Sequence, residues 1–422
     1  MISFHGLGFR PGDFYLPSAQ VDPAKWACVA CDQYTSQPEY WRETEDIVGD
    51  APSCLKLVLP ECDLPRTAER VPVIHAQMQR YVAQGVVTKQ VEGGFVLVER
   101  TTESGARLGL VGTVDLEDYD FTGRKCLIRP TEETITARLP ARLAIRRGAP
   151  MELGHILLLL DDPLRTVLEP LYARRDALRP LYDFDLMQGG GHLRGWAVTE
   201  ESDLAALRDA LTALRDSLGA DPLLFAVGDG NHSLATAKAH WEEIRQTLSE
   251  EERANHPARY AMVEAENIHD PALQFEPIHR VLTGLDRTAV QDGGACLEAD
   301  WKEKDGQDHP DHAPQTFTMV CEGEERTVTI ARPAGVIPAA TLQMWLDDYL
   351  RRHPETEIDY IHGDDVLRQL ASQAGSAGFL LPPLDKTQFF AAIDGMGILP
   401  RKTFSMGHAH EKRFYMECRA IR

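Results

Sequence analysis

The stretch LLFAVGDGNHSLATAKAHW, Leu223 to Trp241, gathers an acid, an amide, an imidazole and a hydroxyl around one glycine. Asp229 ends an apolar run of strand length, and Asn231, His232 and Ser233 stand ahead of a segment with helical spacing. A helix start presents unpaired N–H groups and the positive end of the helix dipole, and together these suit a phosphate. The chemistry expected here is phosphoryl transfer. Asp229 would take the proton of an alcohol, while Gly230, Asn231 and Ser233 hold the phosphoryl group. His232 would bind a phosphate oxygen or hand on a proton. A structural explanation competes: Asn or Ser caps a helix, and glycine permits a tight turn. It accounts for Gly230 and for one of Asn231 and Ser233, and leaves Asp229 and His232 without a reason.

Strands and helices interleave around this turn, which predicts a mixed α/β fold. WACVACDQYT and APSCLKLVLPE read as short strands, RTAERVPVIHAQMQRYVAQG as a helix, and GGFVLVERTTESGARLGLVGTVDLEDY as a hairpin. LEPLYARRDALRPLYDFDL and ESDLAALRDALTALRDSLG carry helical patterns, and FEPIHRVLTG reads as strand into helix. QDGGACLEADWKEKDGQDHPDHAPQ has the composition of a loop. A hairpin over 316–330 and a helix over 341–352 follow. The expected division is an N-terminal α/β region (1–162), a core carrying the Asp-Gly-Asn-His-Ser turn (163–285) and a C-terminal α/β region (286–422).

The 422 residues carry a net charge of −21, which disfavours nucleic acid and anionic membrane surfaces as partners and points to a small-molecule substrate held by a local nest of donors. No signal peptide or membrane-length apolar run is visible, and eight scattered cysteines fit reduced thiols in a cytoplasmic protein. Neither the phosphate loop Gly-x-x-x-x-Gly-Lys-[Ser/Thr] nor the dinucleotide fingerprint Gly-x-Gly-x-x-Gly occurs in the chain, and the protein-kinase signatures are missing. A phosphoryl donor would therefore be held by another device, a condition that pyrophosphate meets. Cys28 and Cys31 form a Cys-x-x-Cys with no second pair, and are read as incidental rather than zinc or redox ligands. The pairs His309/His312 and His408/His410 are read as non-metal. The sequence assigns neither metal ligands nor an oligomeric state.

The segments ACDQYTSQPEYW, IRPTEETI…RLPARLAIR, HILLLLDDP, GDGNHSLATAKAHWE, HDPALQFEPIHRVL, DYIHG and LPRKTFSMGHAHEKRFYMECR resemble domain-of-unknown-function family 1015, in its longer anaerobe-type form, nearly end to end. The turn itself is similar to the Asp-Gly-His-His-Arg signature of free serine kinases, departing from it at Asn231 and at Ser233, where arginine is usual. The resemblance implies a ParB/sulfiredoxin-like core with added N- and C-terminal elements, and a kinase acting on free L-serine. It implies Asp229 as the base, Mg²⁺ as cofactor, and pyrophosphate or a nucleotide as donor. It singles out Arg129, Thr131, Thr134 and Arg142 as phosphate contacts, Glu132 for a substrate ammonium or magnesium, and His279 and Arg280 as further phosphate ligands. Arginine forks and threonine hydroxyls suit phosphate oxygens; the alternative for this stretch is a solvated basic strand. Asp32 and Tyr34 are placed at the substrate, or else in a plain polar turn. Lys402 and Arg413 are candidates to border an anionic pocket. The competing readings are a ParB-like nucleotide-switched binding protein and a sulfiredoxin-like enzyme using Cys28 or Cys31.

Overall fold

The computed structural model describes residues 2–304 and 312–422 and shows a mixed α/β protein. The chain divides into two compact units, one formed by Met1–Gln274 with Gly407–Arg422 and the other by Phe275–Met406.

The first unit is built on a sheet of twelve described strands. Its central run is Ile128–Arg129, Phe225–Asp229, Ile156–Leu160, Tyr260–Asn267, Gly105–Asp115 and Val87–Thr102, in that spatial order. Phe225–Asp229 lies parallel to Ile128–Arg129 and antiparallel to Ile156–Leu160. Alternate side chains feed two cores: Phe95 and Leu97 enter one with Phe225 and Trp241, Val96 and Val98 the other with Trp26 and Tyr182. The run Ile156–Leu160 is buried along its whole length, which explains why it is continuously apolar instead of alternating.

The last sixteen residues return to this unit. Cys418–Ala420 pairs with Met151–Leu153 and Tyr15, and Phe414–Tyr415 pairs with Cys28–Val29. Ionic contacts fix the returning segment. Arg413 donates to Gly154 O (2.8 Å), to Glu417 Oε2 (2.8 Å) and to Glu264, while Arg419 donates to Glu152 Oε1 (2.7 Å). The second unit has a sheet ordered Glu324–Ile330, Gln315–Cys321, Ala377–Leu380, Phe275–Thr283, Glu357–His362. Trp301 stacks on Phe317 and Trp345, and Phe379 meets both tryptophans edge-on beside the sheet.

Several expectations change. The boundaries at 162 and 285 do not follow the two units, because Ile156–Leu160 is hydrogen-bonded to strands on the far side of residue 162. Cys54–Leu57 is a 3₁₀ turn rather than a strand, opened by the Ser53 side chain accepting from Leu55 N–H. In LEPLYARRDALRPLYDFDL only Glu169–Ala173 is α-helical, and Arg179–Asp185 is a strand alternating exposed and covered residues against His192–Val198. FEPIHRVLT is strand throughout. The segment read as a loop is helical over Arg287–Lys304, interrupted at Gln291–Gly294; His309 lies outside the described residues.

Candidate active site

Asp229, Gly230 and Asn231 link the strand Phe225–Asp229 to the helix Asn231–Arg245. The strand's register against Ile156–Leu160 shifts between Val227 and Asp229, and such a bulge re-aims the side chain that follows it. Gly230 is the N-cap residue, at φ +81°, and a Cβ there would sit 3.1 Å from the Ile156 Cα. Both the left-handed backbone and the close approach require glycine. Gly230→Ala should destabilise the protein by about 1–3 kcal/mol, read from its urea unfolding curve. The far end of the helix is anchored by Lys238 donating to Leu116 O (2.8 Å) and Trp241 Nε1 to Glu117 (2.7 Å).

No side chain caps this helix. Asn231 points instead at the IRPTEET segment, where its Oδ1 accepts from Thr131 N–H (3.1 Å) and its Nδ2 donates to Thr131 Oγ1 (3.0 Å). Thr131 in turn donates to Val227 O (2.7 Å). Asn231 and Thr131, expected at the phosphate, thus form a buckle holding the Arg/Thr-rich segment against the motif strand. No side chain takes the first amides of this helix, and an uncapped helix start is the arrangement an anion needs.

Asp229 Oδ1 accepts from Gly230 N–H (2.7 Å), and Oδ2 lies 3.2 Å from Lys412 Nζ. Lys412 comes from the returning C-terminal segment and is 11% exposed. Ser233 Oγ lies 2.9 Å from His155 Nε2, and Asp32 Oδ2 lies 3.5 Å from that nitrogen. His155 Nδ1 is 2.8 Å from the Tyr415 hydroxyl, which donates to Cys31 Sγ (3.0 Å) and accepts from Cys31 N–H (3.2 Å). Burial alone would lower the His155 pKa, but the Asp32 carboxylate, helped by Asp229, carries it above the ordinary histidine value. Burial would raise Asp32, yet His155 and Lys412 hold it well below the usual carboxylate range. Asp32 and His155 are therefore a charged pair. Tyr34, two residues on, stands at φ +52° with its ring stacked 3.7 Å from that of Tyr40. A bulky residue in that backbone region is strained.

His232 accepts from Ile135 N–H through Nε2 (3.2 Å), which leaves its proton on Nδ1. Burial, with the Arg142 and Arg138 guanidiniums, pushes its pKa down to about 4. It can donate a neutral hydrogen bond and carries no charge near neutrality. Between that value and the unfolded-state pKa of about 6.5 the unfolded chain binds more protons, so stability from this site is full above that range and falls as the pH drops through it. Histidine NMR should show one imidazole, absent from His232→Gln, that stays neutral down to pH 5.

The remaining predicted residues divide. Arg142 reaches Glu61 and donates to Arg138 O (3.0 Å), with its side chain largely covered. Arg129 is buried and donates to Cys126 O and Asp221 O, both at 3.2 Å. Thr134 is buried with no partner for its hydroxyl among the described residues, and Glu132 lies half-buried two positions before it. His279 and Arg280 belong to the second unit and are bound there. His279 contacts Asp364 (2.9 Å) and Leu381 N–H (3.1 Å), and Arg280 contacts Gln343 (3.3 Å) and Arg401 O (3.3 Å). Lys402 is also in that unit, and Arg413 is committed to Glu264 and Glu417. Burial pushes the Cys31 thiol up to about 12 and Cys28 higher still, which removes the thiolate a sulfiredoxin-like reaction would use.

A family model described as protein of unknown function (DUF1015) matches residues 15–349. The chain belongs to the DUF1015 family. Curated proteins provide no match. Solved structures similar to this DUF1015 chain include a conserved hypothetical protein from Pyrococcus furiosus, at 12% identity and a TM-score of 0.31, covering 72% of this chain and 90% of that one. A free serine kinase in complex with AMP is 11% identical at a TM-score of 0.36, with the same coverage of both chains. SbnI from Staphylococcus aureus, with a C-terminal truncation, is 10% identical at a TM-score of 0.34, covering 70% and 82%. The DUF1015 match stops at residue 349, short of the segment that brings Lys412 and Tyr415 to the site.

Proposed function

We propose that this DUF1015 protein is a small-molecule kinase that transfers a phosphoryl group to the hydroxyl of free L-serine, giving O-phosphoserine. The observation that carries the reading is the pairing of an acidic side chain, Asp229, with a helix N-terminus that no side chain caps, within 3.2 Å of Lys412 Nζ. Phosphoryl transfer asks the protein for little beyond placement and charge: a base for the alcohol, donors for the equatorial oxygens, and cations for the donor. Asp229 meets the first need. The amides of Asn231, His232 and Ser233, with the His232 Nδ1–H, meet the second. Lys412 meets the third, with Thr134 of the IRPTEETI segment and Arg142 of the helix Leu139–Arg146 as further donors. Asp32 or Glu132 would take the ammonium of serine.

Pyrophosphate is the donor we favour, with a nucleotide as the second choice, because the chain carries neither of the common nucleotide cradles. No group of three His, Cys, Asp or Glu side chains among the described residues could hold a metal ion. Mg²⁺ would therefore enter as the complex of the donor phosphates, which is its usual mode in such sites. None of the eight cysteines is in a disulfide, which suits the reducing cytoplasm in which we place the enzyme. We assign it neither a nucleic-acid nor a membrane partner. Incubation of the purified protein with Mg²⁺ and L-serine, and separately pyrophosphate, ATP or ADP, should yield O-phosphoserine. No product from any donor would remove the proposal.

A further inference from the structure

Ser233 stands where the serine-kinase signature carries arginine, so it needs a role of its own. Its hydroxyl occupies the first turn of the motif helix, beside the amides that would receive the phosphoryl group, and its one described partner is the buried imidazole of His155. The tautomer of that imidazole follows from its neighbours. The Tyr415 hydroxyl gives its proton to Cys31 Sγ, so toward His155 it accepts, and the His155 proton on that side is fixed at Nδ1. Nε2 is then the only exchangeable position, and it faces Ser233 Oγ at 2.9 Å and Asp32 Oδ2 at 3.5 Å. With a proton on Nε2 the imidazolium donates to Ser233 Oγ, with the Asp32 carboxylate as its ion-pair partner; without it, Nε2 accepts from the serine hydroxyl. Only the proton distribution separates the two states, since the heavy atoms already stand at hydrogen-bond distance in both.

We propose that Ser233, His155 and Asp32 form a proton relay that delivers a proton to the leaving group of the phosphoryl donor. The relay rests on the kinase reading above. As the bond from phosphorus to the bridging oxygen breaks and the bond to the serine oxygen forms, the bridging oxygen takes the Ser233 Oγ proton, and Oγ takes the Nε2 proton of His155. The acceptor hydroxyl gives its own proton to Asp229. Afterwards a proton leaves Asp229 to solvent and another returns to His155, so protons balance over the cycle. Such a relay matters most for an inorganic phosphate leaving group, which would depart as a strongly basic trianion unless its bridging oxygen is protonated. His155 is faced by Asp32 from the loop after Cys28–Val29, by Asp229 and Ser233 from the motif, and by Tyr415 and Arg413 from the C-terminal segment. Burial opposes the imidazolium most, and Arg413 a little, while Asp32 and Asp229 favour it, and the net direction is upward, as a proton store requires.

The test is a pair of measurements on the full chain. In kinetics with Mg²⁺-pyrophosphate and L-serine, Ser233→Ala and His155→Gln should each lower kcat by about 10²-fold, the low end of general acid catalysis. KM should stay nearly unchanged, Ser233→Thr should recover most of kcat, and His155→Gln should erase the alkaline limb of the kcat–pH profile. A merely structural role would raise KM or lower stability and keep that limb. In histidine NMR, Nε2 of His155 should respond to inorganic pyrophosphate in the wild type and lose that response in Ser233→Ala. A Ser233→Ala enzyme within threefold of wild type, a retained alkaline limb, or a phosphorylated Ser233 peptide would each overturn the relay. If no donor yields phosphoserine with the wild type, the kinase reading falls and the relay falls with it; an active wild type with an unimpaired Ser233→Ala removes the relay alone.

Discussion

Asp229→Asn should cost about 10²–10⁴-fold in kcat, the range set by removing a positioned general base, and leave the circular dichroism spectrum unchanged. Asparagine keeps the shape and can still accept from the Gly230 amide, which the Asp229 carboxylate holds at 2.7 Å. What it loses is the ability to take the hydroxyl proton and the charge that balances Lys412 at 3.2 Å. Lys412 retains the nearby Asp32 carboxylate as a counter-charge, so the variant should still fold. KM for the donor should change much less than kcat, because the helix amides stay in place. Near-normal turnover would sink Asp229 as the base, whatever else the site does.

The second large effect is expected away from the chemistry. Arg413→Ala should destabilise the first unit by about 3–5 kcal/mol, the cost of stranding buried charges by removing their partner. Arg413 is 5% exposed and serves Gly154 O, Glu264 and Glu417, while Glu417 also accepts from the Tyr182 hydroxyl (2.5 Å). Removing the guanidinium leaves two carboxylates in the interior of the sheet. The loss should appear in thermal unfolding as an earlier transition. The triple change Arg413→Met, Glu264→Gln, Glu417→Gln should recover part of the loss, since a neutral set has no stranded charge. An Arg413→Ala protein as stable as wild type would show that the network contributes nothing net.

The motif strand, the turn and the helix were legible from sequence because their signals are local: an apolar run, a glycine at the turn and helical spacing within about twenty residues. The hairpin Val87–Thr102 with Gly105–Asp115 was legible for the same reason. His155, Lys412 and Tyr415 were not, because they meet Asp229, Ser233 and Cys31 across 78 to 384 positions of chain. His155 does sit within the DUF1015 match, at the head of HILLLLDDP, whereas Lys412 and Tyr415 lie beyond its end at residue 349. A polar residue opening a fully apolar strand is the signal that could have singled out His155. The arginines show the opposite limit. The family resemblance places Arg129 and Arg142 near phosphate, but composition says nothing of the carbonyls and of Glu61, which engage them in the fold. Arg179–Asp185 misled for a simpler reason: the charges of ARRDALRPLYD fit a helix face as well as one side of a strand until His192–Val198 pairs with it.

The return of the last sixteen residues to the first unit sets an order on events during synthesis. Gly407 N–H donates to Gln274 O (3.2 Å), so the chain leaves and re-enters the first unit at neighbouring points. Lys412, Arg413 and Tyr415 emerge from the ribosome more than a hundred residues after the strand carrying Asp229. The nascent first unit must therefore wait with its sheet unfinished and Glu264 without its cation, while residues 275–406 have already been made and can fold as a unit. The adjacency of Gln274 and Gly407 also means that a short turn could replace everything between them without moving either end. The gap is a seam at which the coding sequence could have acquired, or could be made to lose, an entire unit while Asp229 and Lys412 keep their distance.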